Sequence, residues 1–286
     1  MTNIGFIGLG IMGGPMASHL NNDGYNLSVF NRSKEKSEKW ITQNTKAKVC
    51  FSIKDVATDG DIIILCVGND NDVRQIVNKI KPLIKPGTVV IDHTTTSAKL
   101  AKEMNNILVK QGSYFLDAPV SGGEGGAHQG TLSIMVGGDE KIYMSIKDVL
   151  DSYSKFSKFM GPSGYGQLTK MVNQICIAGL IQSLAEGLHF AKKSNLEVKD
   201  VIEVISKGAA QSWQMENRWK SMIKDEYEHG FAVDLMRKDL DIVLEHAESI
   251  DANLDITGIV NSFYKDIQNA GGGRWDTSSL LRRLES

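Results

Sequence analysis

The feature that most constrains the fold is a short apolar strand that runs directly into a glycine-rich turn and then into a helical pattern. Ile4–Ile7 is the predicted strand, and Gly8-Leu9-Gly10-Ile11-Met12-Gly13 follows it with GxGxxG spacing. The first glycine permits a tight turn, the second lets the backbone approach a pyrophosphate, and the third lets helix and strand pack closely. The helix start then presents amide groups to the anion. Strand, turn and helix in this order predict a dinucleotide site, the alternative being a turn that binds nothing.

The first half of the chain continues this alternation of strands and helices. Further strands are predicted at Leu27–Phe30, Ala47–Phe51, Asp61–Val67, Thr88–Asp92, Tyr114–Asp117, Leu132–Val136 and Phe156–Met160. Helical patterns lie between them, at Pro15–Asn22, Lys34–Thr42, Val73–Ile80 and Ala98–Gln111. Most strand runs are continuously apolar, which is typical of strands covered on both faces. The pattern predicts an α/β fold with a Rossmann-type doubly wound, mostly parallel sheet.

The second half shows no convincing strand after Gln167. Its helical segments are about 167–193, 198–206, 212–223, 233–250, 254–269 and 277–285, with Asp276 as the expected N-cap of the last. A Gly/Pro-rich joint at 161–166 separates the two patterns. We therefore expect a nucleotide-binding domain over 1–163 and an all-α domain over 164–286.

Charge, cysteine and histidine content exclude several classes of protein. The 32 Lys and Arg residues nearly balance the 34 Asp and Glu residues, so nucleic acid is not an expected partner. The cysteines (Cys50, Cys66 and Cys176) have no CxxC spacing, which indicates a reducing compartment. The histidines lack metal-site spacing. With no signal peptide at the start and only short apolar runs, we expect a cytoplasmic protein with neither a membrane association nor a metal.

The end of the second predicted strand indicates which dinucleotide binds. NAD sites place an acidic residue there for the ribose 2′-hydroxyl, whereas NADP sites favour an arginine for the 2′-phosphate. This strand ends in Phe30-Asn31-Arg32-Ser33, with no acidic residue. A guanidinium can hold a phosphate through two hydrogen bonds. The segment favours NADP, with NAD possible, and the alternative is that Arg32 is a solvated loop residue.

A long apolar helix carries three polar residues on one side. Lys170, Asn173 and Gln174 are spaced i, i+3 and i+4, and the segment to Ile181 is otherwise apolar, so we expect the helix to be buried on nearly every side. Burying a lone ammonium costs several kcal/mol. Such a lysine can serve as a proton donor with a lowered pKa, or it can extend to solvent from the helix start. The pattern alone leaves both open.

A second glycine-rich segment follows the predicted strand at Tyr114–Asp117. Ser121, Gly122 and Gly123 lie at the carboxyl end of the sheet, where a hydroxyl and successive amide groups suit a carboxylate. The alternative is a flexible surface loop. The surroundings of Ser121 are not GxSxG, so it is not predicted as a hydrolase nucleophile.

Periodicity alone places Lys238 opposite the apolar stripe of its helix and predicts a solvated lysine.

Four segments in this order resemble the β-hydroxyacid dehydrogenase family, which includes 3-hydroxyisobutyrate dehydrogenases and tartronate semialdehyde reductases. They run from Phe6 to Met16, from Asp117 to Gly123, from Gly164 to Gln174 and from Met236 to Leu240, and the resemblance covers nearly the whole chain. It implies an oxidoreductase that transfers a hydride between nicotinamide and a small β- or γ-hydroxy acid or semialdehyde.

The resemblance also implies a role for each segment. Lys170 would act as general acid and base, Ser121–Gly123 would bind the substrate carboxylate, and Asn173 and Gln174 would orient the substrate, although many members have Asn at both positions. The expected cofactor contacts, beyond the glycine turn and Asn31–Ser33, are Val67, Asn71, Thr95 and Lys238. Members pair through the helical domain, with the long helix around Lys170 contributing, so a homodimer or homotetramer is expected. The alternatives are a non-catalytic dinucleotide-binding scaffold and an imine reductase.

Overall fold

The computed structural model describes residues 2–285, which divide into two compact units, unit 1 up to Lys170 and unit 2 from Met171. Unit 1 contains a nine-stranded sheet. Its strands are β1 (Asn3–Ile7), β2 (Asn26–Phe30), β3 (Lys48–Val49), β4 (Ile62–Leu65), β5 (Val89–Asp92), β6 (Tyr114–Asp117), β7 (Val120–Ser121), β8 (Leu132–Gly137) and β9 (Ser154–Gly161). The helices after them are α1 (Gly13–Asn22), α2 (Lys34–Ile41), α3 (Ile53–Ala57), α4 (Asp70–Ile80), α5 (Ala98–Val109), α6 (Gly123–Gln129), α7 (Glu140–Ser145) and α8 (Lys147–Asp151).

The sheet has the strand order β3-β2-β1-β4-β5-β6-β8-β7, with β9 paired to β8. Strands β1 to β6 are parallel, whereas β8 runs antiparallel to β6 and β7. The chain therefore leaves β1, β2, β4, β5 and β6 at the same edge of the sheet. The mostly parallel, Rossmann-type sheet predicted from the sequence is confirmed.

Successive side chains along the central strands enter two different cores. Phe6 and Ile64 point to the face covered by α1, α7 and α8. Ile63 and Leu65 point to the opposite face, which α3, α4 and α5 cover. Because alternate residues of a strand face opposite sides, a run of four apolar residues such as that of β4 is buried on both faces. This is the physical basis of the double winding.

Helix α9 (Tyr165–Lys193) begins in unit 1 and continues into unit 2. Unit 2 further contains α10 (Val198–Ile205), α11 (Trp213–Ile223), α12 (Val233–Ser249), α13 (Asp255–Asn269), a 3-10 helix (Thr277–Ser279) and α14 (Leu280–Glu285). The Asp276 carboxylate accepts a hydrogen bond from the Ser278 amide, which confirms it as an N-cap. The domain division at 1–163 and 164–286 stays a prediction, since the boundary between the two units along the chain falls inside α9.

The expected burial of α9 on nearly every side is wrong for the single chain. Residues such as Ala178, Ile181 and Leu188 pack in the unit 2 core. Val172 is 60% exposed and Phe190 is 70% exposed, however, so one face of the helix remains uncovered in this chain. No helix of residues 2–285 is both long enough and apolar enough to cross a membrane.

Candidate functional site

The glycine turn between β1 and α1 contains two glycines that the fold requires and one that it does not. Gly8 has φ +106°, and a Cβ there would collide with the carbonyl of Cys66. A Cβ on Gly13 would collide with the Gly8 carbonyl. A Cβ on Gly10 would meet no atom within 4 Å. Packing of the chain therefore explains Gly8 and Gly13, but leaves Gly10 open to an external group such as a pyrophosphate.

The remaining residues of this turn suit the same ligand. Leu9 is buried, whereas Ile11 is 55% exposed. Met12 occupies the N-cap position of α1 without a side-chain hydrogen bond to the helix. In α1 the Gly14 amide donates to the Gly10 carbonyl and Pro15 has no amide hydrogen, so an anion here would be held by the amides from Gly10 to Gly13. The turn fits the predicted dinucleotide.

The end of β2 lies beside this turn and is tied to it by Asn31. The Asn31 Oδ1 accepts from the Leu9 amide at 3.0 Å, and its Nδ2 donates to the Ser33 carbonyl at 3.0 Å. The Arg32 side chain is 92% exposed, with Nη1 3.8 Å from a carboxylate oxygen of Asp72. Ser33 is the N-cap residue of α2, and its hydroxyl makes no capping bond. Arg32 and Ser33 are thus available to a ligand at this edge.

The exits of β4 and β5 hold the other predicted cofactor residues of unit 1. The Val67 amide donates to Thr94 Oγ1 at 3.0 Å, which joins the two exits. Asn71 lies in α4, where its Oδ1 accepts from Arg74 Nη1 at 3.3 Å. Thr95 is half-buried between Thr94 and Thr96. These residues share one sheet edge with the glycine turn.

Ser121–Gly123 joins β7 to α6, with Ser121 in the strand and Gly123 as the first residue of the helix. Ser121 ends β7 and pairs with Ser133 of β8. Gly122 and Gly123 have φ values of +136° and +62°, which side chains rarely adopt. A Cβ on Gly123 would meet no atom within 4 Å, so this turn also has open space beside its backbone.

Lys170 is buried at the start of α9, with 7% of the residue exposed. This burial does not fit a lysine that extends into bulk solvent. The first turn of α9 is held by Asp117, which ends β6, and by Gln167, which is fully buried. Neither residue was assigned a role from the sequence. The only sequence signal was a charged residue at the end of an apolar strand.

Unit 2 holds the remaining predicted residues, and a buried aspartate connects them. Gln174 Nε2 donates to Asp239 Oδ2 at 2.7 Å, and Asn173 Nδ2 donates to Gln174 Oε1 at 2.7 Å. The Lys238 ammonium lies 3.1 Å from Asp239 Oδ1, and its side chain is 24% exposed. The solvated Lys238 predicted from periodicity is therefore wrong. Periodicity did not indicate the role of Asp239, because Gln174, which donates to it, lies on another helix.

Burial perturbs three titratable groups at the exits of β5 and β6. Burial raises the pKa of Asp92 to about 7 and that of Asp117 to about 6, although hydrogen bonds from amide groups oppose both shifts. Burial lowers the pKa of His93 to about 4. His93 Nδ1 lies 2.6 Å from the Ala118 carbonyl and must donate, so the neutral ring accepts at Nε2 from the Tyr153 hydroxyl. His93 is therefore a neutral structural group.

Comparisons with known proteins cover nearly the whole chain. Residues 3–161 match the model of the NAD-binding domain of 6-phosphogluconate dehydrogenase, and residues 164–284 match that of NADP-dependent 3-hydroxyisobutyrate dehydrogenase. An uncharacterized oxidoreductase of Shewanella frigidimarina is 50% identical, covering 100% of this chain and 99% of its own. The 2-hydroxy-3-oxopropionate reductase of Escherichia coli is 33% identical, covering 99% of this chain and 97% of its own.

Among solved structures, a 3-hydroxyisobutyrate dehydrogenase of Mycobacterium tuberculosis, described with L-serine, superimposes with a TM-score of 0.92. It is 27% identical, and the match covers 100% of both chains. The similarity therefore extends over the nucleotide-binding sheet and the helical part.

Proposed function

This chain belongs to the β-hydroxyacid dehydrogenase family and is an NAD(P)-dependent oxidoreductase, and from that premise we propose that it interconverts a small β- or γ-hydroxy acid and its semialdehyde. The observation that supports a bound dinucleotide, on which the proposed reaction depends, is the glycine turn. Gly10 lacks a side chain although nothing in the chain occupies that space. A bound pyrophosphate explains the glycine.

Lys170 is proposed as the group that moves the proton. A nicotinamide dinucleotide held by the glycine turn would supply the hydride chemistry, in either direction, at the carbon that bears the oxygen. In reduction, Lys170 Nζ gives a proton to the carbonyl oxygen, and in oxidation it takes the proton from the hydroxyl. Its burial keeps bulk water from competing for that proton.

Ser121–Gly123 is proposed to hold the substrate carboxylate. The Ser121 hydroxyl and the adjacent backbone amides are donors, and the open space beside Gly123 admits an anion. The E. coli relative acts on 2-hydroxy-3-oxopropionate, and the M. tuberculosis relative is described with L-serine. Both compounds carry a carboxylate next to a hydroxyl-bearing chain, so a short carboxylate is the expected substrate.

In unit 2, Asn173 is proposed to orient the substrate, with Gln174 beside it. Asp239 holds Gln174, which in turn accepts from Asn173, so the amide of Asn173 has a fixed orientation. Lys238 is proposed to contact the cofactor.

NADP is the proposed cofactor over NAD. Arg32 and the N-cap residue Ser33 offer a guanidinium and a hydroxyl at the start of α2, where a phosphate is favoured. Asp72 does not remove Arg32 from this role. An exposed ion pair at 3.8 Å contributes at most about 1 kcal/mol.

A homodimer or homotetramer is proposed, formed through the uncovered face of α9. Val172, Leu180 and Phe190 are exposed along this face, and Gly179 and Gly187 leave space for a close approach. A shallow concavity borders Gly187, Phe190 and Leu284. A second copy of the same helix would cover these apolar residues.

The free cysteines of the chain fit a reducing, cytoplasmic location.

A substrate panel tests the proposed activity. Short semialdehydes and hydroxy acids are assayed with NADPH, NADH and their oxidised forms, together with cyclic imines. We expect turnover of a carboxylate-bearing semialdehyde and weaker turnover of the same aldehyde without its carboxylate. Turnover of imines alone would favour an imine reductase. Tight dinucleotide binding without any turnover would favour a scaffold.

A further inference from the structure

Two buried side chains, Asp117 and Gln167, join the three segments of unit 1 that carry Thr95, Ser121 and Lys170. Asp117 ends β6 and begins the segment that leads to Ser121. Gln167 lies in the first turn of α9, the helix of Lys170. We refer to the two side chains and their hydrogen bonds as the Asp117–Gln167 clamp.

The Asp117 carboxylate caps helix α9 from outside the helix. One oxygen accepts from the Gly164 amide at 2.7 Å, and the other accepts from the Gln167 amide at 3.0 Å. The Ser163 hydroxyl lies 3.4 Å from the first oxygen. Amide groups of a first helical turn lack carbonyl partners inside the helix. Asp117 therefore fixes where α9 begins.

The Gln167 side chain fixes the same turn to the exit of β5. Its Nε2 donates to the Thr94 carbonyl at 2.8 Å, and its Oε1 accepts from the Thr96 amide at 3.0 Å. Both ends of one amide thus bind the residues on either side of Thr95. A shorter side chain could not reach both groups.

The clamp is closely enclosed. A Cβ on Gly137 would lie 2.7 Å from both carboxylate oxygens of Asp117. A Cβ on Gly166 would lie 2.5 Å from the Met135 carbonyl. With so little free space, a substituted side chain cannot restore the same hydrogen bonds from another position.

We propose that Asp117 and Gln167 are positioning residues that hold the Lys170 ammonium in register with the segments of Ser121 and Thr95. Lys170 follows Gln167 by three residues, close to one helical turn. The proposal rests on the proposed function of Lys170. A displacement of about 1 Å at a reacting group can cost about 100-fold in rate.

The test compares Gln167→Asn with Tyr143→Phe. The first shortens the clamp by one methylene group. The second removes a buried hydrogen bond of unit 1, from the Tyr143 hydroxyl to the Ser157 carbonyl at 3.0 Å, that touches none of the three segments. Two measurements are made on folded protein. One is kcat together with the Kd for NADPH. The other is the rate at which reductive methylation modifies Lys170, followed by mass spectrometry.

For Gln167→Asn we expect kcat to fall 10- to 100-fold with the NADPH Kd within about threefold of wild type. Lys170 should be methylated at least about tenfold faster, since it is less firmly held. Tyr143→Phe should change neither quantity beyond twofold, whatever it does to thermal stability. Asp117→Asn should act like Gln167→Asn, because its amide nitrogen would face an amide group that needs an acceptor.

The proposal is overturned if folded Gln167→Asn keeps both the wild-type kcat and the wild-type methylation rate. It is also overturned if Tyr143→Phe changes them equally. Should the wild-type protein turn over no substrate of the panel, the proposed function fails. The methylation rate then still decides whether the clamp holds Lys170, so the two failures are distinguishable.

Discussion

Exchanging Gly10 and Gly13 for alanine separates binding from folding within one turn. A Cβ on Gly13 would collide with the Gly8 carbonyl, which is backbone and cannot move aside cheaply. We expect Gly13→Ala to cost about 1–3 kcal/mol, which lowers Tm by roughly 2–12 °C. A Cβ on Gly10 meets nothing, and the backbone of Gly10 is not left-handed. Gly10→Ala should change stability by less than about 1 kcal/mol.

For dinucleotide affinity we expect the reverse order, with Gly10→Ala having the larger direct effect. Alanine at position 10 would keep the pyrophosphate from approaching the backbone, with loss of about one charge-assisted hydrogen bond, or about 1.5–3 kcal/mol. The Kd for NADPH should then rise roughly 10- to 150-fold. Thermal unfolding without ligand and calorimetric titration with NADPH measure the two effects. Gly10→Ala that binds NADPH as tightly as wild type would refute the reasoning.

Three further outcomes are expected. Arg32→Ala should raise the Kd for NADPH at least about tenfold but that for NADH less than about threefold, and equal losses would remove the case for NADP. His93 has a lowered pKa, so its stabilising contribution is complete above pH 6.5 and is lost towards pH 4. Gln at position 93 can keep both hydrogen bonds but does not titrate. Between pH 7 and 4.5 the free energy of unfolding, measured with urea, should therefore fall by about 2–3 kcal/mol less in His93→Gln than in wild type. If wild type and His93→Gln lost the same free energy of unfolding over this pH range, His93 would not be the neutral buried group described above. Leu180→Glu should shift the oligomer to monomer in analytical ultracentrifugation. Phe51 is 66% exposed in unit 1, and Phe51→Glu should leave the oligomer unchanged. A wild-type protein that is already monomeric would count against the proposed interface.

The alternation of elements could be predicted because the buried strands carry a strong local signal. Ile62–Leu65 and Val89–Asp92 are nearly all apolar, and long helices such as α12 show a clear stripe. The short helices were missed. Helix α6 has seven residues, three of them glycine, so neither helix propensity nor periodicity indicates it. Its order comes from packing against α1 and the sheet.

The partners of the buried carboxylates could not be predicted from one sequence. Asp117 binds amides 47 and 50 residues away, and Asp239 binds Gln174 across 65 residues. No local spacing encodes such contacts. The exposure of apolar residues along α9 could not be predicted from its composition for a related reason, because an exposed apolar residue looks the same in sequence as one in a core. Lys170, by contrast, stood out because a charge in an apolar helix is costly.

The most direct test of the central claim is the single-turnover rate of Lys170→Ala with NADPH and the best semialdehyde of the panel. If Lys170 moves the proton, this rate should fall about 100- to 10,000-fold, with the Kd for NADPH nearly unchanged, and added ethylamine should restore part of it. A Lys170→Ala enzyme that keeps most of the wild-type rate would contradict the account.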